Sequence, residues 1–167
     1  MKKIAAIWLM ASTSTAFGQA GFIIRAGEGE ELMNGIVLKL SPNNGTSGVA
    51  LGEQTFPRGG TTGLHVHDHV SESFYVVSGR GLARLGDASE PIGPGDVLYV
   101  PPGGVHAIDD LDDDEPLVVL FFTPTPEIAE QMRAVHERLV SEPYRPITPE
   151  ESAEFTRRYG GSRRLRE

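Results

Sequence analysis

Short apolar runs separated by Gly- and Pro-rich breaks pattern the chain as far as Thr123. Phe22–Arg25 predicts a first strand, broken by Glu28-Gly29-Glu30-Glu31, and Gly35–Leu40 predicts a second. Pro42-Asn43-Asn44-Gly45 is a turn signal, because Asn-Gly tolerates positive φ. Gly48–Phe56, Leu64–His67, Glu72–Ser78, Leu82–Leu85, Asp96–Val100 and Val105–Ile108 follow as candidate strands, with Gly79-Arg80-Gly81, Pro91–Gly95 and Pro101–Gly104 as turns. Leu117–Thr123 is a run apolar enough for a buried strand. Evenly spaced strands with such turns predict an all-β antiparallel sandwich or barrel.

Beyond Thr123 the period changes. Ile128, Met132, Val135 and Leu139 are spaced for one face of a helix over Pro126–Val140, which Pro143 ends. Thr148-Pro149-Glu150-Glu151 predicts a second helix start, with Thr148 as N-cap, Pro149 in the first turn and Glu151 closing a capping box. Gly160-Gly161 stops that helix after Tyr159. The expected organisation is a barrel over 21–125 and a helical extension and tail over 126–167.

The first residues carry a different signal. Lys2-Lys3, the short apolar run Ile4–Ala11 and small residues before Gln19 or Gly21 predict a cleaved secretory signal peptide over 1–20. A buried amphipathic N-terminal helix is the alternative reading. Export places the mature protein in the periplasm or the medium, with no stable membrane anchor once the signal is removed. The chain has no cysteine, which excludes a lipidated anchor and disulfides and limits metal ligation to His, Asp and Glu. A length of 167 residues suits one domain with a small appendage. The net charge of -8 argues against a nucleic-acid partner.

Four of the five histidines fall between Gly59 and Asp110. On a strand, His65 and His67 face the same side and can grip one ion. The turn Asp68–Ser71 returns the chain so that Glu72 can reach the same point, and His106 follows a Pro/Gly turn farther on. Three imidazoles and a carboxylate make a coherent site for one divalent transition metal, with Mn, Fe, Ni, Co, Cu and Zn undistinguished. The bland alternative is a set of surface or satisfied core histidines. Phe74 and Val76 share parity with Glu72 and are pocket walls or plain core. His69 keeps the parity of His65 but lies in the turn, as an exposed residue or as a contact to the site. His136 is expected to be solvated on its helix.

The segment Gly59-x5-His65-x-His67-x4-Glu72-x6-Gly79 and the segment Gly95-x5-Pro101-x-Gly103-x2-His106 together resemble the paired motifs of the cupin superfamily. The resemblance covers roughly 51–123 and departs from the pattern at Asp110, where an Asn is usual. It implies a double-stranded β-helix, the cupin jelly-roll barrel, with His65, His67, Glu72 and His106 as metal ligands. It is also similar to small quercetinase-like dioxygenases, which implies a chelating enol- or flavonol-like substrate and a base role for Glu72. The alternative is a non-catalytic, metal-dependent receptor for a small molecule. Oxalate-degrading relatives carry Arg three residues before the first His, and Thr62 stands there.

Two charge runs remain. Asp109–Glu115 imitates the start of a calcium loop, but Glu115 and Phe121 stand where that loop needs Gly and Glu, so a solvated connection is expected. Arg157-Arg158 and Arg163-Arg164-x-Arg166 read as a solvated tail, or as a contact with the acidic run of a second subunit. A homodimer through barrel edges suits such an architecture.

Overall fold

A computed structural model describes residues 21–111, 114–141 and 145–165. The expected signal segment, residues 112–113 of the acidic run, Pro143 and Arg166 lie outside the described residues. The strands are β1 (Glu30–Glu31), β2 (Ile36–Leu40), β3 (Ala50–Thr55), β4 (His65–His67), β5 (Glu72–Ser78), β6 (Gly81–Leu85), β7 (Ala88–Ile92), β8 (Val97–Val100), β9 (Val105–Asp110) and β10 (Val118–Thr123). Helices α1 (Glu127–Val140) and α2 (Pro149–Tyr159) precede a last strand, β11 (Ser162–Arg164).

These strands form two antiparallel sheets, with order β1-β2-β3-β10-β5-β8 in one and β11-β4-β9-β6-β7 in the other. The fold is an all-β jelly-roll carrying two short helices. Among the described residues no helix is long and apolar enough to cross a membrane. Alternation along the strands sets what faces inward: Phe74 and Val76 of β5, Leu98 and Val100 of β8, and Val119 and Phe121 of β10 share one core. Phe121 is fully buried, which contributes about 2–3 kcal/mol for a side chain of its size. Gly79 holds φ 74° where β5 turns toward β6, and a Cβ there would sit 2.5 Å from the Pro116 carbonyl oxygen. Only glycine fits that bend.

Several expectations are corrected. Phe22–Arg25 forms no strand; Phe22 and Ile23 are exposed and no strand pairs with them. Glu30–Glu31, read as a break, pairs with β2. β7 runs through the segment read as loop and turn, and its Pro91 is tolerated because β7 is an edge strand. β9 continues to Asp110, so the first two acidic residues belong to a strand. Asp109 binds Arg84 and the Thr61 hydroxyl, and Asp110 accepts from the Gly59 N–H at 2.8 Å. His136 is not merely solvated: its Nδ1 accepts from the Met33 N–H at 3.1 Å.

The largest correction is the basic tail. Ser162, Arg163 and Arg164 pair with His67, Val66 and His65, so β11 is the outer neighbour of a histidine-bearing strand. Gln131 of α1 fixes β11 in place: its amide accepts from the Ser162 N–H and donates to the Ser162 carbonyl. Arg163 then reaches Asp68 at 3.0 Å.

Candidate metal centre

Both sheets contribute to one cluster. β4 supplies His65 and His67, and β9 pairs with it so that His106 stands directly opposite His65. The imidazole centroids of those two lie 4.1 Å apart. Glu72 comes from β5 of the other sheet and projects across the barrel interior. One ligand atom from each of His65, His67, Glu72 and His106 lies within 4.8 Å of all the others. His67, Glu72 and His106 are buried, and His65 is half-buried.

Backbone carbonyls fix two of the imidazoles. His65 Nδ1 lies 2.8 Å from the Gly63 oxygen, and His106 Nδ1 lies 3.0 Å from the Gly104 oxygen. A carbonyl oxygen only accepts, so each Nδ1 carries the hydrogen and each Nε2 of a neutral ring presents a lone pair inward. The Pro101–Gly104 turn, closed by the Gly104 N–H donating to the Pro101 carbonyl at 2.9 Å, is what places the second carbonyl.

The inward atoms test whether a cation fits. Glu72 Oε2 lies 2.9 Å from His67 Nε2 and 3.2 Å from His106 Nε2. With the His106 hydrogen committed to Gly104, a lone pair faces a carboxylate oxygen in a buried space. That contact is repulsive unless a positive charge lies among the atoms. His67 Nδ1 is buried without a partner, so the cluster is incomplete as a purely hydrogen-bonded one. Nitrogen and carboxylate donors of this number and spacing fit a divalent transition ion.

Electrostatics agree. Burial, then the neighbouring His106, lowers the His65 imidazole from 6.5 to about 3, so it is neutral and able to bind metal at ordinary pH. Burial pushes the Glu72 carboxyl up, but contact with the His106 and His67 rings outweighs it and holds the group below its usual range, ionised.

His65 and Glu72 border a cavity of about 920 Å³ that also takes in Phe74, Phe121, α1, α2 and β11. Phe74 lines it, whereas Val76 is wholly buried in the core. His69 is exposed in the turn, away from the cluster. The sequence leaves open whether the two helices pack on the outside of the barrel or cover one end; they line the cavity, as does β11, which the sequence did not reveal. The spacing of Met132, Val135 and Leu139 marked an apolar face without saying that the face would meet the barrel mouth.

Residues 52–123 match the cupin domain family. An uncharacterized protein of Methanocaldococcus jannaschii is 35% identical over 71 residues, which cover 42% of this chain and 56% of that one. An oxalate-binding protein of Thermotoga maritima is 30% identical over 86 residues, covering 52% of this chain and 69% of the relative. The matched part of the chain thus spans little more than half the length of the first relative and about two thirds of the second. A predicted oxalate decarboxylase of Thermotoga maritima superposes with a TM-score of 0.55 at 22% identity, over 61% of this chain and 97% of that one. At that identity the likeness concerns the fold.

Proposed function

The chain belongs to the cupin superfamily, and from that premise we propose that it is a metal-dependent dioxygenase acting on a small chelating substrate of enol or flavonol type. The observation that carries this reading is the position of the His/Glu cluster: His65 and Glu72 line a large cavity, so a held ion is reachable by a ligand. His65, His67, Glu72 and His106 would hold the ion, which supplies Lewis acidity toward a chelating enolate. The Gly63 and Gly104 carbonyls orient two of the imidazoles. Glu72, ionised and in reach of the cavity, is placed to take the proton of an enol as it enters.

Oxygen uptake by protein reconstituted with Mn, Fe, Co, Ni or Cu, against a panel of flavonols and diketones, tests the proposal. Uptake with at least one pair supports it; no uptake with any pair defeats it.

A second reading, a non-catalytic receptor for a small chelating acid, is favoured by the 30% identical relative named as an oxalate-binding protein. Thr62 weakens a direct transfer of that ligand, because its hydroxyl already accepts from the Ile108 N–H at 3.0 Å. Calorimetry with oxalate and no oxygen uptake would identify this reading.

Export and dimerisation belong to the same proposal. Fractionation of the native host is expected to recover the protein outside the cytoplasm, and recovery with the cytoplasmic proteins would defeat the export reading. Exposed Tyr75, Val77, Val97 and Tyr99 on the outer face of β5 and β8 offer a second copy an apolar surface, and sedimentation is expected to show a dimer; a monomer would defeat this reading.

A further inference from the structure

The cavity at the cluster is lined by two chemically different sets of side chains, and the C-terminal segment contributes to both. In the polar set stands Arg164. Its register opposite His65 puts it on the same face of the sheet as that imidazole, because directly paired residues of antiparallel strands share a face. The guanidinium crosses Gly63 and donates from Nη1 to the Thr62 carbonyl at 2.6 Å. A Cβ on Gly63, which holds φ 69°, would collide with Nη1, so the bend is shaped to let the guanidinium pass. Arg163 is neutralised by Asp68, but among the described residues no carboxylate pairs with Arg164. Four of its five N–H donors are left for a ligand.

In the apolar set Met132, Val135 and Leu139 of α1, Ile147 ahead of α2 and Phe155 of α2 face the same cavity. All five are half-buried. Ile128 and Ala129 at the start of the α1 apolar stripe are buried, and Met132 packs partly against the barrel core. Val135, Leu139, Ile147 and Phe155 line space, and an apolar wall of this kind is what a ligand-binding groove offers. At about 920 Å³ the cavity is near the upper end of sites that enclose drug-sized molecules, roughly 300–1,000 Å³, and far larger than a two-carbon dicarboxylate needs.

We propose that the site is bipartite and takes an amphiphilic anion. Its chelating acid head lies between the His65/Glu72 cluster and Arg164, and its apolar body lies along Met132, Leu139 and Phe155. The proposal rests on the reading that the cluster holds a metal. It makes Arg164 a specificity-determining residue carried by the last strand rather than by either motif.

Cobalt-loaded protein titrated with acetohydroxamate and octanohydroxamate tests this, with the cobalt visible spectrum as readout. The two probes share a chelating head and differ only in the apolar chain. Both are expected to perturb the spectrum, and octanohydroxamate to bind at least about tenfold tighter, since each buried methylene is worth roughly a factor of three or four. Phe155→Ala should weaken octanohydroxamate by roughly fivefold and leave acetohydroxamate unchanged. Arg164→Gln should weaken both probes, and Arg164→Lys should restore part of the loss. Equal affinity of the two probes for the unaltered protein overturns the apolar half. Unchanged binding in Arg164→Gln overturns the role of that side chain. Failure to bind cobalt, or a cobalt spectrum indifferent to acetohydroxamate, defeats the metal reading itself and the inference with it, a pattern distinct from equal affinities.

Discussion

The barrel strands β4 and β5 and the C-terminal segment α1–α2–β11 border one cavity with different degrees of fixation. The strands bring the ligating groups, buried or half-buried and held by sheet register and by two backbone carbonyls, with Phe74 beside them. The C-terminal segment presents many half-buried apolar side chains together with Arg164, and is fixed at a few points such as Gln131 against Ser162. The difference separates two tasks. An ion tolerates little error in its ligands, so they sit on the rigid part. A ligand body tolerates a yielding wall, and a helical appendage can supply one.

The sharpest way to break that separation is to exchange the consequences. His106→Ala or Glu72→Gln should take bound metal from stoichiometric to near zero, while Leu139→Ala on the wall should leave it stoichiometric. Elemental analysis of purified variants measures both. A wall variant that loses its metal would show that the C-terminal segment shapes the ion site as well.

The cluster was legible in the chain because strand parity is rigid: residues two apart share a face, whatever the fold around them. His106 needed the pairing of β4 with β9, which spacing alone suggests only through the resemblance to a paired motif. β11 was hidden for a physical reason. Ser-Arg-Arg has no apolar alternation, and its place in the sheet comes from Gln131 and from the open edge of β4, neither visible in the segment itself. β7 was hidden by Pro91, which reads as a breaker and is harmless on an edge.

Acid should separate the two regions next. The unfolded His65 takes a proton near pH 6.5, while the folded one resists until about 3. The unfolded chain therefore binds more protons across that window, and stability falls as pH falls through it. Glu72, held below its unfolded value of 4.5, adds a loss in the same direction at lower pH. Metal-free protein should lose roughly 2 kcal/mol between pH 6.5 and 4.5, read by urea unfolding. Metal should raise stability at pH 7 and steepen the fall, because protons compete for its ligands. A flat profile would mean that the histidines are less enclosed than the packing indicates.

Gln131→Ala tests the fixing of β11. It leaves the Ser162 N–H without its amide partner at a position where Gln131 is buried, while the Ser162 carbonyl keeps the Thr156 hydroxyl. A loss of about 1–3 kcal/mol in urea unfolding is expected, with metal content unchanged. If metal content falls instead, β11 holds β4 in its ligating position.

The smallest expected effect lies at the far end of the wall. Thr148 caps α2: its hydroxyl accepts from the Glu151 N–H at 3.2 Å, and the Glu151 carboxylate accepts from the Thr148 N–H at 3.0 Å. Thr148→Ala removes half of that reciprocal pair and should cost about 1 kcal/mol. Because α2 carries Phe155 to the cavity, a loosened cap should also weaken octanohydroxamate slightly while acetohydroxamate and metal content stay as they were. Thermal unfolding and the two titrations separate a wall that yields locally from one whose disturbance reaches the barrel. Equal weakening of both probes would show that the two regions act as one body.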